Sequence, residues 1–205
     1  MFTFLCFSII LFSERTVAMN VYDFDNTIYR GDSTADFYLF SLKKHKKIIR
    51  LLPSLLKGTL RFYLFKKGTK TDMKENMYRF LGFVEWEKDV EEFWNCHEQN
   101  IKPFYKAKQR DDDIIISASP YFLLRPICER LGIRHLIASD VDPVTGKYTG
   151  INCHGEEKVR LYKEKYNGKI DNFYSDSHSD LPLAKISEKA FLVRGDEVES
   201  WKLSN

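Results

Sequence analysis

Residues 20–31, NVYDFDNTIYRG, open on an apolar run that reads as a strand and set two carboxylates, Asp23 and Asp25, two positions apart at its C-terminal end. Side chains alternate along a strand, so a period of two sends both toward one side. Two carboxylates held together repel unless a cation joins them or one is protonated. Such a pair suits an ionised nucleophile beside a group that gives and takes protons. The other reading of this stretch alone is a turn in which Asp23, Asp25 and Asn26 cap backbone groups.

Outward from this stretch, short apolar runs alternate with amphipathic segments, the rhythm of a parallel sheet covered by helices. Strands are expected over 21–24, 113–117, 135–139, 170–175 and 190–193, and helices over 121–131, 156–166 and 181–187. The segment 142–150, DPVTGKYTG, is punctuated by Pro143, Gly146 and Gly150 and reads as a hairpin-like excursion. Residues 33–105 break the rhythm, with Leu, Ile, Phe, Tyr and Trp at helical spacing and no convincing strand. A structureless connection of that length is rare in a compact domain. The fold class is therefore α/β, with an all-helical insertion after the first strand. The expected division is a core of 19–32 and 106–205, a helical cap of 33–105, and an N-terminal extension of 1–18.

Composition bounds the function. A chain of 205 residues, 43% hydrophobic and 30% charged, has enough apolar residues for one core and excludes disorder, collagen and a membrane bundle. The net charge of +3 gives no argument for a nucleic-acid partner. The charge is unevenly placed: residues 43–70 hold ten Lys or Arg and no Asp or Glu, leaving the rest of the chain acidic. On a helical projection Lys43, Lys47, Arg50, Ser54, Lys57 and Arg61 share one stripe, and Ile48, Leu52, Leu55, Leu56 and Tyr63 lie opposite. Pro53 is expected to split or kink the segment. A bundle helix with a solvated cationic face is one reading, and docking on an anionic membrane surface the other. Cys6, Cys96, Cys128 and Cys153 are widely spaced, which suggests neither a zinc site nor a disulfide scaffold and fits a reducing, cytoplasmic setting. The apolar start, MFTFLCFSIILF, is too short to span a bilayer and lacks a basic flank; Met19 is the expected physiological start, and a weak membrane-proximal anchor is the other reading of residues 1–18.

Three more signals join the carboxylates. DDDIIISASP, 111–120, delivers Ser117 to the end of a strand just before a helix, where a hydroxyl and unpaired amides can hold an oxyanion; an N-cap is the bland reading. Lys158 stands near the start of a helix in HGEEKVRLY. FYSDSHSDLPL ends a strand with Asp176 and repeats the carboxylate at Asp180, hard oxygen ligands of the kind that Mg²⁺ takes. Each of Asp23, Ser117 and Asp176 closes a separate strand, and open parallel sheets bind ligands outside those carboxyl ends. His178, lacking a partner at ligand spacing, is assigned no role.

Taken together, DFDNT, IIIS, Lys158 and SDSHSD resemble, in order, the four motifs of the haloacid dehalogenase superfamily, with Asn26 where Gly is common. The insertion directly after the first motif resembles the cap of its phosphoserine-phosphatase-like branch. The resemblance implies a Rossmann-like three-layer core and a phosphatase acting through an aspartyl-phosphate. Asp23 would be the nucleophile, and Asp25 would protonate the leaving group and then activate water. Ser117 and Lys158 would hold phosphoryl oxygens, and Thr27 would orient the loop. Mg²⁺ would sit among Asp23, the Asp25 carbonyl and Asp176, with Asp180 binding or orienting its shell. Asp32, in RGDSTADF, stands where that branch uses an acidic residue for the substrate amine, and it equally suits a helix cap.

A small phosphate monoester is the substrate this implies. The stretches IISASP, LIAS, GEEKV and YSDSHSDLPL, with the cationic cap, also resemble phosphatidylglycerophosphatase C type enzymes, which makes a lipid phosphate the rival. Transfer to an acceptor other than water is open to the same nucleophile. A different class altogether would be a catalytically silent phospholipid-binding module.

Overall fold

Four apolar or aromatic runs form the centre of the sheet in the computed structural model, which describes residues 19–64, 70–166 and 168–203. The strands are β1 (Met19–Tyr22), β2 (Ile114–Pro120), β3 (His135–Ser139), β4 (Ile170–Ser175), β5 (Ser187–Arg194) and β6 (Glu197–Ser200), in the order β3-β2-β1-β4-β5-β6. All neighbours are parallel except β5 and β6, which form an antiparallel hairpin at the edge. The sequence reading places β3 and β4 as observed and does not contain β6, a short charged edge strand. It also runs β1 too far, because the ladder stops at Tyr22 and Asp23 is the first residue past it. Residues 1–18, and with them the expected start at Met19, lie outside the described residues.

Alternation puts each strand's side chains into two layers. Val21, Ile114, Ile116 and Phe173 pack on one face with Tyr162 and Leu183 from the helices that cover it. Tyr22, Ile115 and Tyr174 point to the other. There Tyr22, Tyr174 and Phe191 stack as a ladder across β1, β4 and β5, with centroids 4.6 and 4.8 Å apart.

Between β1 and β2 run α1 (Ser33–Lys44), a 3₁₀ segment (Lys46–Leu51), α2 (Leu52–Tyr63), α3 (Lys70–Tyr78), α4 (Trp86–His97) and α5 (Pro103–Lys108). Their buried aromatics enter the same core as the second face of the sheet. Trp94 crosses Phe24 edge to face, and its Nε1 donates to the Leu123 carbonyl at 2.7 Å. Pro53 falls in the first turn of α2, where a missing N–H is harmless. The expected apolar stripe does not stay in one layer: Ile48 is buried and Leu55 half-buried, whereas Leu52 and Leu56 are exposed. The 3₁₀ turn has three residues per turn rather than 3.6, so the two helices on either side of it do not share a projection. Among the described residues no helix is long and apolar enough to cross a membrane.

After β2 come α6 (Tyr121–Arg130), α7 (Glu156–Lys165) and α8 (Leu181–Lys185), each within two residues of its expected bounds. In the excursion before α7, Val141 bridges Tyr148 and Asp142 Oδ1 accepts from the Val144 and Thr145 amides, closing the turn at Gly146, φ 71°.

Candidate active site

Strand order fixes where a site can form. The chain passes from β1 to β2 and β3 on one side, then crosses to β4 on the other, so the switch lies between β1 and β4. Crevices outside the carboxyl ends at such a switch are where open α/β sheets bind ligands. Asp23 follows β1 there, its amide donating to the Tyr174 carbonyl of β4 at 2.9 Å.

The loop beyond Asp23 turns back at once. Thr27, Ile28 and Tyr29 amides all donate to the Phe24 carbonyl, and the Asn26 amide donates to Gly31. Asn26 adopts φ 55°, a left-handed conformation that Asn tolerates better than most residues. The turn, and not strand alternation, therefore aims the two carboxylates, and it gives them different partners.

Asp23 Oδ1 accepts from Lys158 Nζ at 2.6 Å, and Oδ2 lies 3.3 Å from Thr27 Oγ1. Thr27 Oγ1 in turn accepts from the Asp176 amide at 2.9 Å and stands 3.5 Å from Asp176 Oδ1. One threonine hydroxyl thus ties the end of β1 to the end of β4. Lys158, from the first turn of α7, also donates to Asp180 Oδ2 at 2.8 Å, which accepts from Ser175 Oγ as well. Asp180 is accordingly the lysine's second anchor. Asp23, Thr27, Lys158, Asp176 and Asp180 form one connected cluster.

Asp25 belongs to a second arm. Its Oδ1 accepts from the Ser33 amide at 2.7 Å, and its Oδ2 accepts from Ser119 Oγ. Ser119 Oγ sits 2.9 Å from Thr34 Oγ1, and its amide donates to Ser117 Oγ at 3.1 Å. Ser117 therefore reaches the carboxylates through Ser119, which the sequence reading missed. Lys102, also missed, is buried and gives its ammonium to the Asn26 and Gly195 carbonyls. Asp32 Oδ1 accepts from the Ala35 amide at 2.9 Å, so it caps α1. From the insertion, Lys74 on α3 reaches the Ala118 carbonyl at 3.4 Å and Asn152 Oδ1 at 3.2 Å, one residue from Ser117.

Burial raises the electrostatic stakes. It pushes the Asp23 carboxyl up to about 7 against the pull of Lys158, with Asp180 and Asp25 adding to the rise. Asp25 rises to about 6, through burial and then Asp32, opposed by its hydrogen bonds from Ser119 and Ser33. Burial also lifts Asp176. For Lys158 burial works against the charge, but Asp23 and Asp180 outweigh it and hold the ammonium above the ordinary lysine value. Lys158 is shared by two carboxylates, Asp23 and Asp180, and Asp176 lies close by, a balance that favours further positive charge.

Among the described residues no three carboxylate, imidazole or thiolate side chains form a ready ligand cage. The donors on offer are the carboxylates of Asp23 and Asp176, linked through Thr27, and main-chain carbonyls of the turn. All are hard oxygens. That set fits Mg²⁺, which is commonly bound by one or two carboxylates and keeps several waters. Asp176 also opens on a cleft of about 370 Å³ whose lining includes Arg30, Lys102 and Arg194, with Asp196 paired to Arg30.

A family model described as haloacid dehalogenase-like hydrolase matches residues 21–185. Phosphoserine phosphatase SerB1 of Mycobacterium tuberculosis is 25% identical over 199 residues, covering 85% of this chain and 64% of that protein. The chain thus spans about two thirds or less of the curated relatives it matches. Among solved structures, a protein of unknown function from Bordetella pertussis Tohama I superposes with a TM-score of 0.69 at 22% identity, over 84% of this chain and 88% of that one. A phosphoserine phosphohydrolase-like protein from Francisella tularensis gives 0.54 at 15% identity, over 84% and 85%. These likenesses establish the α/β fold.

Proposed function

Because the chain belongs to the haloacid dehalogenase-like hydrolase family, we propose that it is a phosphoric monoester hydrolase in which Asp23 takes the phosphoryl group and Asp25 handles the proton. The observation that carries this reading is the division of labour between the two carboxylates: Asp23 is gripped by Lys158 and Thr27, and Asp25 by Ser33 and Ser119. One has a cation at hand that favours its anion against burial. The other has only neutral donors, which suits a group that must gain and lose a proton.

Asp23 attacks phosphorus in line, forming an acyl phosphate as the bond to the leaving oxygen breaks. Asp25 gives its proton to that oxygen. Water then attacks phosphorus, Asp25 takes the water's proton, and Asp23 is released with inorganic phosphate. Ser117, the amides before α6 and Lys158 hold the phosphoryl oxygens while charge builds on them. Mg²⁺ held by Asp23, the Asp25 carbonyl and Asp176 would neutralise charge between the anionic nucleophile and the anionic phosphate. Asp180 keeps Lys158 aimed at Asp23. The helical insertion acts as the cap over the leaving group, with Lys74 its nearest named cation to Ser117.

The substrate proposed is a small organic phosphate, phosphoserine among the candidates, since a matched relative bears that name. A lipid phosphate is the second reading, favoured by the exposed leucines of α2. A phosphate-release screen over phosphoserine, sugar and polyol phosphates, and phosphatidylglycerophosphate micelles tests both. An acid-stable, hydroxylamine-labile phosphoryl label on the protein is expected during turnover; turnover without one would refute the acyl phosphate.

Two further outcomes follow from this chemistry. Chelation should reduce hydrolysis by about a hundred-fold or more, with recovery on adding Mg²⁺. Full activity in EDTA would remove the metal from the scheme. Ser119→Ala should lower kcat on an alkyl phosphate about 10- to 100-fold, with KM little changed, by releasing Asp25 from its aim. On p-nitrophenyl phosphate, whose leaving group needs no proton, the loss in kcat/KM should be under about three-fold, whereas on the alkyl phosphate kcat/KM should fall with kcat. Equal losses in kcat/KM on both substrates would reduce Ser119 to a structural residue.

A further inference from the structure

Helix α2 turns leucines toward solvent. Leu52, Leu56 and Leu60 are 42, 62 and 41% exposed, and Leu64, just past its end, is 68% exposed. At four-residue spacing they fall within an arc of about 120°. Ile49, in the preceding turn, is 51% exposed. A folded chain does not ordinarily leave so many large apolar groups together in water unless something covers them.

The charges around them say what that is. Lys46, Lys47, Arg50 and Lys57 are all exposed beside these residues, and no acidic residue occurs anywhere in 43–70. Lys44, by contrast, is already paired with Asp89 and Glu92. A second copy pairing through this face would bring two such cationic belts together, which opposes association. A surface that is apolar at depth and negative at its boundary matches both features at once. That is an anionic bilayer, where a helix lying in the plane buries its apolar side and meets headgroup phosphates with Lys and Arg.

We propose that the outward face of α2, with the turn before it, docks the protein on anionic lipid bilayers. Leu52, Leu56, Leu60 and Leu64 enter the headgroup boundary, and Lys46, Lys47, Arg50 and Lys57 lie against lipid phosphates. The inference is independent of which phosphate ester is hydrolysed.

The test is sedimentation of the full chain with phosphatidylcholine vesicles, with or without roughly one third phosphatidylglycerol. Pelleting is expected only with the anionic vesicles, falling several-fold as salt rises from about 0.1 to 0.5 M. Leu56→Glu with Leu60→Glu should weaken binding at least about ten-fold while leaving soluble-phosphate hydrolysis unchanged, because both side chains are exposed. Three results would overturn the proposal. Equal pelleting with neutral vesicles would remove the role of charge. Undiminished binding by the double variant would shift attachment elsewhere, such as to the apolar residues 1–12. Self-association in solution that the same substitutions abolish, without vesicle binding, would make the face a contact between copies.

Discussion

Asp23→Asn should abolish turnover, by at least about a thousand-fold in kcat, and at the same time make the metal-free protein more stable. The first effect is the loss of the carboxylate proposed to receive the phosphoryl group. The second follows from the carboxyl's raised proton affinity. Burial lifts Asp23 to about 7 even with Lys158 at 2.6 Å. The unfolded chain holds that proton only to about pH 4. Between about 4 and 7 the native state therefore binds more protons than the unfolded one, and its stability falls as pH rises through that window. Above it the full penalty is present, of the order of 2–4 kcal/mol for a shift of about three units. Asparagine resembles the neutral acid and escapes it, while Lys158 keeps Asp180 as partner. Thermal melts in chelator at about pH 8 should put the variant several degrees above the wild type, and the gap should close near pH 4. Mg²⁺ should raise the wild type more than the variant. A variant that melts below the wild type at pH 8 would mean that the Lys158 contact outweighs desolvation.

What could be read without coordinates was chemistry tied to local pattern. The runs that became β3 and β4 are bounded by turn residues and dense in branched or aromatic side chains, so their limits were plain. So was the shared sheet edge of Asp23, Ser117 and Asp176, since each lies near or just past the end of a strand in an alternating α/β chain. The aim of the carboxylates was not plain. Alternation implies a shared side, whereas a turn through Phe24 to Tyr29 intervenes and sends Asp25 to Ser33 and Ser119. Ser119 and Lys102 were invisible for a related reason. Their partners Asp25 and Asn26 lie 94 and 76 residues away, and nothing local marks either residue. The outward leucines of α2 were misplaced because one 3₁₀ segment, Lys46–Leu51, resets the helical phase.

Lys158→Met tests the same cluster from its positive side, and here activity and stability should fall together. The ammonium is buried between Asp23 Oδ1 and Asp180 Oδ2, at 2.6 and 2.8 Å, in a site where its own side chain is 3% exposed. Removing one partner of a buried ion pair leaves uncompensated charge, at a cost of about 3–5 kcal/mol when both carboxylates stay ionised. Asp23 need not: with the cation gone it holds its proton more tightly, so the cost should grow with pH and shrink as pH falls. Asp23 would then be protonated over the range in which the wild type works, and a protonated carboxyl is no nucleophile. A loss of about a thousand-fold in kcat is expected at neutral pH, with partial recovery at higher pH, where the carboxyl ionises but the protein is weakest. Lys158→Arg separates charge from shape. It should regain much of the stability and little of the rate, because a planar guanidinium does not fit the place of a compact ammonium between two carboxylates and a phosphoryl oxygen. Were Lys158→Met to keep wild-type turnover with an unchanged pH profile, the lysine would be scaffolding, and the grip on Asp23 would have to come from Thr27 and the metal alone.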